Sequence, residues 1–318
     1  MSITYHKKSD IVKDREYNYL CFYCGEVDIL KIEKKIMPDT LLVEQLRALE
    51  SKCNAYDKIQ SSACIDVSMN YYEDMNSIFL MYEEDKLISF ISVFAPLKHE
   101  IEICGFTDPE YRQKGYFSML LKEVINEANK FNIKDLLFVF DGKFSHSEKL
   151  GKKLNAKLYL TEYFLTYSFK DDKCNKLKNK VVIKEVQHST EFPIVIDLDK
   201  RIFKEDEDVA ISMAKAVLAS ETRSQYVCYH DKKPIGMINV DINNDEAMIF
   251  GLGVLSEYRG KGYAKDMLCL LIHELKKVDI SSISLEVDSN NPEALALYMS
   301  CGFEKVKSFE YYRMDLHD

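Results

Sequence analysis

Two stretches decide how this chain is read: Tyr111-Arg-Gln-Lys-Gly-Tyr-Phe117 and Tyr258-Arg-Gly-Lys-Gly-Tyr-Ala264. They lie 147 residues apart, and the same offset carries Ser77 to Ser224, Tyr82 to Tyr229, Ile88 to Ile235, Val93 to Val240, Leu120 to Met267 and Asp141 to Asp288. From about 77 to 169 the register needs no gap, and the apolar pattern survives with it. Chance matches do not preserve a pattern over that length, so the chain reads as two tandem copies of one domain. A domain-sized period is a duplication and not a solenoid. The 318 residues independently favour two domains. The charged stretch Lys170 to Lys180 reads as the join, giving an N-terminal domain over 1–170, a linker over 171–180 and a C-terminal domain over 181–318.

Composition narrows the classes. Forty-seven per cent of the residues are hydrophobic and 30% charged, enough apolar side chains for two cores. A net charge of −9 repels phosphate backbones and anionic headgroups, so nucleic acid and membrane surfaces are not expected as partners. The longest apolar run, Leu87 to Leu97, is 11 residues, too short to span a bilayer. Nine scattered cysteines behind an N-terminus with no apolar leader point to reduced thiols in a cytoplasmic compartment, and the lone Cys21-Phe-Tyr-Cys24 lacks partners at metal spacing. No metal is expected.

The second copy is the easier to parse. A strand over 181–186 precedes helices over 191–203 and 206–220, and strands 225–230, 235–242 and 247–254 follow as a meander. A long amphipathic helix is expected over 261–278, a strand over 283–287, a helix from Pro292 to Cys301 closed by Gly302, and two last strands over 303–316. The fold class is therefore α/β, in the α+β sense: a tandem of domains, each a mixed, mostly antiparallel sheet flanked by helices.

Chemistry concentrates at the turn Arg259-Gly260-Lys261-Gly262-Tyr263-Ala264. Small residues between a strand and a long helix let backbone approach an anion, with free amides and the helix dipole behind them. An ordinary strand-to-helix connection uses the same residues, so the turn alone leaves both readings open.

The wider context is more specific. The turn, the meander before it, and Glu286-Val-Asp-Ser-Asn-Asn291 through Tyr298-Met-Ser-Cys-Gly302-Phe303 after it together resemble the GNAT superfamily of acetyl-CoA-dependent N-acetyltransferases. The resemblance covers the whole second copy and reaches the first through the repeat. It implies acetyl-CoA as cosubstrate and an amine acceptor, a small molecule or a peptide. The backbone of Arg259 to Ala264 would hold the diphosphate, Leu252, Gly253 and Val254 would pair with the pantetheine arm, and Asn291 would hydrogen-bond that arm. Tyr298 looks like the family's general acid, since a phenol of pKa ~10 suits a thiolate leaving group. An amide near Val254 would stabilise the oxyanion. Glu286 stands where ribosomal-protein N-terminal acetyltransferases, which this stretch resembles, carry a base, and Glu246 is the other candidate. Each also has a plain reading, as a solvated strand residue or a hairpin charge. The length, and a working site in the second copy, resemble mycothiol synthase in organisation.

The first copy departs at matched positions. Phe117 replaces Ala264, Phe144 replaces Asn291 and Gly151 replaces Tyr298. The expectation is an acetyltransferase active in its C-terminal half, with an N-terminal half that does not catalyse. The alternatives are a protein N-terminal or lysine acetyltransferase and a non-catalytic acyl-CoA sensor.

Overall fold

The structure is a computed structural model that describes residues 17–23, 26–170, 173–174 and 177–317. The chain divides into one unit of 1–159 with 310–318 and a second of 160–309.

In the first unit the chain runs β1 (Tyr17–Tyr23), β2 (Glu26–Lys35), α1 (Thr40–Asp57), β3 (Ile78–Glu83), β4 (Lys86–Phe94), β5 (Glu100–Thr107), α2 (Tyr116–Lys130), β6 (Asp135–Asp141), α3 (Ser147–Lys153) and the start of β7 (Lys157–Tyr167). Strands β1 to β5 pair antiparallel in sequence order, and β5 pairs parallel with β6. Asp39 caps α1 by accepting the Leu42 amide at 2.8 Å. The apolar stripe of α2, with Leu120, Val124 and Ala128, packs on Phe79, Ile88 and Ile91 of the sheet. Each of the Leu, Val, Ile and Phe side chains among these contributes about 1.5–3 kcal/mol when taken wholly out of water.

In the second unit β8 (Val182–Glu185) is followed by α4 (Phe192–Ile202), α5 (Glu207–Leu218), β9 (Arg223–His230), β10 (Lys233–Asn243), β11 (Glu246–Val254), α6 (Tyr263–Leu275), β12 (Ser282–Asp288), α7 (Pro292–Cys301) and β13 (Phe303–Asp315). Strands β8 to β11 are antiparallel neighbours, β11 and β12 are parallel, and β12 pairs antiparallel with β7. One sheet face carries α6, whose Met267, Leu268, Leu271 and Ile272 are buried against Ile238, Ile249 and Leu285. The other carries α4 and α5, where Val195, Leu198 and Ile202 meet Val227 and Met237. Each unit is thus the expected mostly antiparallel sheet between helices, and the elements from β3 to β7 recur at the repeat offset as β9 to β13, whereas α5 has no helical counterpart over 60–71.

Three expectations change. The final two strands are one, β13, because no Gly or Pro and no cluster of turn residues interrupts the run from Phe303 to Asp315. The division also departs from 1–170 and 181–318: residues 310–318 belong with the first unit, where Arg313 donates to Glu100 at 2.9 Å and the Leu316 amide donates to the Lys134 carbonyl at 2.8 Å. Finally, Cys174 and Cys269 form a disulfide, which corrects the reading of all nine cysteines as reduced. Their sequence separation of 95 hides a Cα distance of 5.1 Å, close to where Lys178 and Asn179 bond Asp266 of α6. Cys24 and residues 171, 172, 175 and 176 of the proposed linker lie outside the described residues, as does the N-terminus through residue 16.

Candidate active site

The two strands that bear the candidate residues part company halfway along. β11 pairs with β12 only through Glu246–Ile249 against Ser282–Leu285, so Leu252, Gly253 and Val254 lie beyond the shared ladder, on a length of β11 left open toward β12. In β5 and β6 the pairing stops likewise, after Ile103 and Phe138.

The two units differ just beyond this parting. The β4–β5 register is regular throughout, whereas between β10 and β11 it slips: Met237 faces Gly253, but Asn239 faces Phe250. Gly251 and Leu252 therefore oppose the single residue Ile238, a β-bulge that re-aims the strand. Gly251 has φ +57°, a left-handed conformation open to glycine, and its counterpart in the first unit is Cys104. The sequence comparison missed this residue, although glycine against cysteine at a matched position was the available signal.

Beyond the bulge the chain makes a short turn into α6. Arg259 is extended and turns back, its Nε donating to the Val254 carbonyl at 2.9 Å. Gly260 and Gly262 have φ of +72° and +92°. Gly262 is the N-cap of α6 and has no side chain to bond the first amides, so these remain available to an anion, with Tyr263 and Ala264 opening the helix. The residues fit a diphosphate: small at 260, 262 and 264, and donor-rich. Asp266, buried in the first turn, accepts the Lys178 amide at 2.9 Å and the Asn179 amide at 2.8 Å, so residues 178–179 border this turn. Composition gave no hint of that contact, because residues 170–180 read as a solvated join.

Tyr298 is buried in the second turn of α7, and burial pushes its phenol up to about 12, with Cys301 adding to the shift. Asn291 is the N-cap of α7, its Oδ1 accepting the Ala294 amide at 3.1 Å, which leaves its Nδ2 as the group able to reach a ligand. On β12, Ile283, Leu285 and Val287 enter the core under α6, so Glu286 faces the opposite side, that of α4 and α5. Burial pushes its carboxyl up to about 7; Glu162 adds to this and Lys307 opposes it. Glu246 is exposed at the start of β11, eight residues from Val254, or roughly 26 Å of strand. The fold brings Glu286 to the parting strands and leaves Glu246 at their far end.

The first unit keeps the turn and loses the reactive groups. Arg112 donates to the Thr107 carbonyl at 3.0 Å and Gly115 has φ +89°, matching Arg259 and Gly262. Val139 stands for Glu286 and Gly151 for Tyr298. A cavity of about 390 Å³ at its parting strands is lined by rings, among them Phe106, Phe117, Phe138, Phe140 and Phe144.

Each unit is thus a mixed sheet whose parallel strands part beside a helix start. The profile of the Acetyltransferase (GNAT) family matches residues 43–147 and 191–303, and the chain belongs to that family. Among curated relatives, the ribosomal protein bS18-alanine N-acetyltransferase of Haemophilus ducreyi is 42% identical over 62 residues, 20% of this chain and 43% of that protein. The N-alpha-acetyltransferase MAK3 of Arabidopsis thaliana is 27% identical over 94 residues, 28% of this chain and 50% of that protein. The chain thus spans less than half the length of the first of these relatives and half that of the second. A GCN5-related N-acetyltransferase from Sphaerobacter thermophilus superposes with a TM-score of 0.70 at 13% identity, covering 89% of this chain and 95% of the other. A tandem GNAT protein from the clavulanic acid biosynthesis pathway gives 0.66 at 12% identity, covering 90% and 98%. Among the described residues no helix is long and apolar enough to cross a membrane.

Proposed function

We propose that the protein is an N-acetyltransferase that moves an acetyl group from acetyl-CoA to a primary amine by direct attack, with the working site in the second unit. The observation that carries this reading is the asymmetry at matched positions: the second unit alone has the bulge at Gly251 together with Glu286 and Tyr298, against Cys104, Val139 and Gly151. Acetyl-CoA, when bound, supplies the activated acyl group. The amides from Arg259 to Ala264 hold its diphosphate, the open length of β11 over 252–254 takes the pantetheine arm, and Asn291 Nδ2 donates to that arm. Glu286, raised by burial to about 7, takes a proton from the acceptor ammonium, a value that suits a base at pH 7. An amide near Val254 receives the developing negative charge. Tyr298, held protonated by burial, returns a proton to the departing sulfur.

Steady release of CoA in the presence of amines tests this. The Arg259→Ala protein should lose acetyl transfer while Arg112→Ala retains it; equal losses would mean that both units work. A second reading, acetylation of a peptide N-terminus, is favoured by the short stretch shared with the bS18-alanine N-acetyltransferases. Peptide against metabolite panels separate the two.

A further inference from the structure

Among the described residues of the second unit, three side chains have buried polar atoms with no partner: Asp199 Oδ1, Gln225 Nε2 and Asn239 Oδ1. Each residue is more than nine-tenths buried, at 7%, 3% and 2% exposure. They share one layer. Gln225 and Asn239 are register partners on β9 and β10, and each lies two residues from an apolar side chain, Val227 or Met237, that packs under α4. Asp199 belongs to the buried stripe of α4 itself. Interiors seldom leave polar atoms unpaired, because an unmade hydrogen bond forfeits the solvation given up on burial. Three in one layer imply that something other than this chain completes them.

The layer also borders the proposed site. A β-carbon on Gly251, the bulge glycine, would come within 2.6 Å of Asn239 Nδ2, and one on Gly253 within 2.2 Å of Ile202 Cγ2. Asp199 lies one helical turn before Ile202, about 4.5 Å of rise. Gln225 also lines a cavity of about 300 Å³ whose wall includes Glu185, Glu221 and Arg223, the last paired with Asp241 at 3.0 Å. Burial and the nearby Glu205 raise the Asp199 carboxyl to about 6, and no cation among the described residues offsets them.

Resting on the reading of the second unit as an amine acetyltransferase, we propose that Asp199 and Asn239 Oδ1 bind a second, non-reacting cationic nitrogen of the acceptor, with Gln225 Nε2 donating to an acceptor oxygen where one is present. The acceptor class is therefore an amine that keeps another positive charge a few methylenes from the nitrogen it offers. The bound nitrogen is not the reacting one, since a carboxylate contact holds it protonated and leaves it no lone pair. Asp199 is thus a specificity residue.

The test compares 1,5-diaminopentane with pentylamine, two chains of equal length. The wild type should favour the diamine by about 10–100-fold in kcat/KM, expressed through KM, the worth of one charge-assisted contact. In Asp199→Asn the preference should fall below about threefold, and in Asn239→Asp, which adds a carboxylate, it should rise above the wild type. An unchanged preference in both variants, or none in the wild type, overturns the proposal. Should the wild type acetylate neither amine, the inference is judged by thermal unfolding, independently of the enzyme reading: 1,5-diaminopentane must stabilise the wild type more than pentylamine does, and must lose that advantage in Asp199→Asn.

Discussion

The ring of Tyr312 lies on Gly151. A β-carbon at 151 would come within 2.4 Å of Tyr312 Cδ1, so this glycine, which matches Tyr298 in the second unit, is held open for a ring that arrives from the last strand. The ring also meets Phe140 edge-on, with centroids 5.5 Å apart. Where the second unit grows its own tyrosine from α7, the first fills the position with a packing residue.

Gly151→Ala should therefore destabilise the protein by about 1–3 kcal/mol through overpacking. Pairing it with Tyr312→Leu should recover part of that loss in denaturant unfolding. Additive effects of the two changes would show that the ring and the glycine are uncoupled.

Glu286 sets a pH dependence of known sign. Its folded pKa, about 7, is raised, so the acid is the stable form and the base appears only as pH climbs. Acetyl transfer should rise through pH 7 and then level, with no alkaline fall until near the Tyr298 range of about 12. The stability that Glu286 contributes is complete below its unfolded pKa of ~4.3 and is lost as pH rises through 7. Glu286→Gln should lower turnover ~10²–10⁴-fold and flatten that part of the stability profile. A wild-type profile of unfolding against pH in this variant would assign the effect to other groups.

Tyr298→Phe keeps the ring that packs 6.1 Å from Phe303 and removes only the hydroxyl. Folding and acetyl-CoA affinity should persist while turnover drops ~10²–10⁴-fold. Undiminished turnover would leave Tyr298 as a core residue.

Ala264→Phe copies the first unit into the second at the start of α6. In the first unit the Phe117 ring turns in upon Gly105, where a β-carbon would stand 2.5 Å away. In the second the residue matched to Gly105 is Leu252, so a ring at 264 lacks that glycine opening and crowds the amides of 262–264. Calorimetry should show most acetyl-CoA affinity gone; an unaltered constant would mean the diphosphate is held elsewhere.

Much of this was legible in one dimension because it depends on local chemistry. The 147-residue register, the Pro292 start and Gly302 stop of α7, and the uncapped glycine turn before α6 follow from periodicity and backbone preference, which neighbours along the chain decide. Glu246 and Glu286, by contrast, look alike as letters. Only the sheet places one at an exposed strand start and the other between Glu162 and Lys307, where burial raises its carboxyl to about 7, since desolvation is summed over residues distant in sequence. The Gly251 bulge needed the pairing of β10 with β11 to be seen, because a one-residue slip changes hydrogen-bond register without changing composition. The Cys174–Cys269 bond and the return of residues 310–318 to the first unit likewise depend on which surfaces meet. Sequence determined the elements, the duplication and the family; tertiary structure decided which carboxylate faces the parted strands, because that is a matter of burial and register.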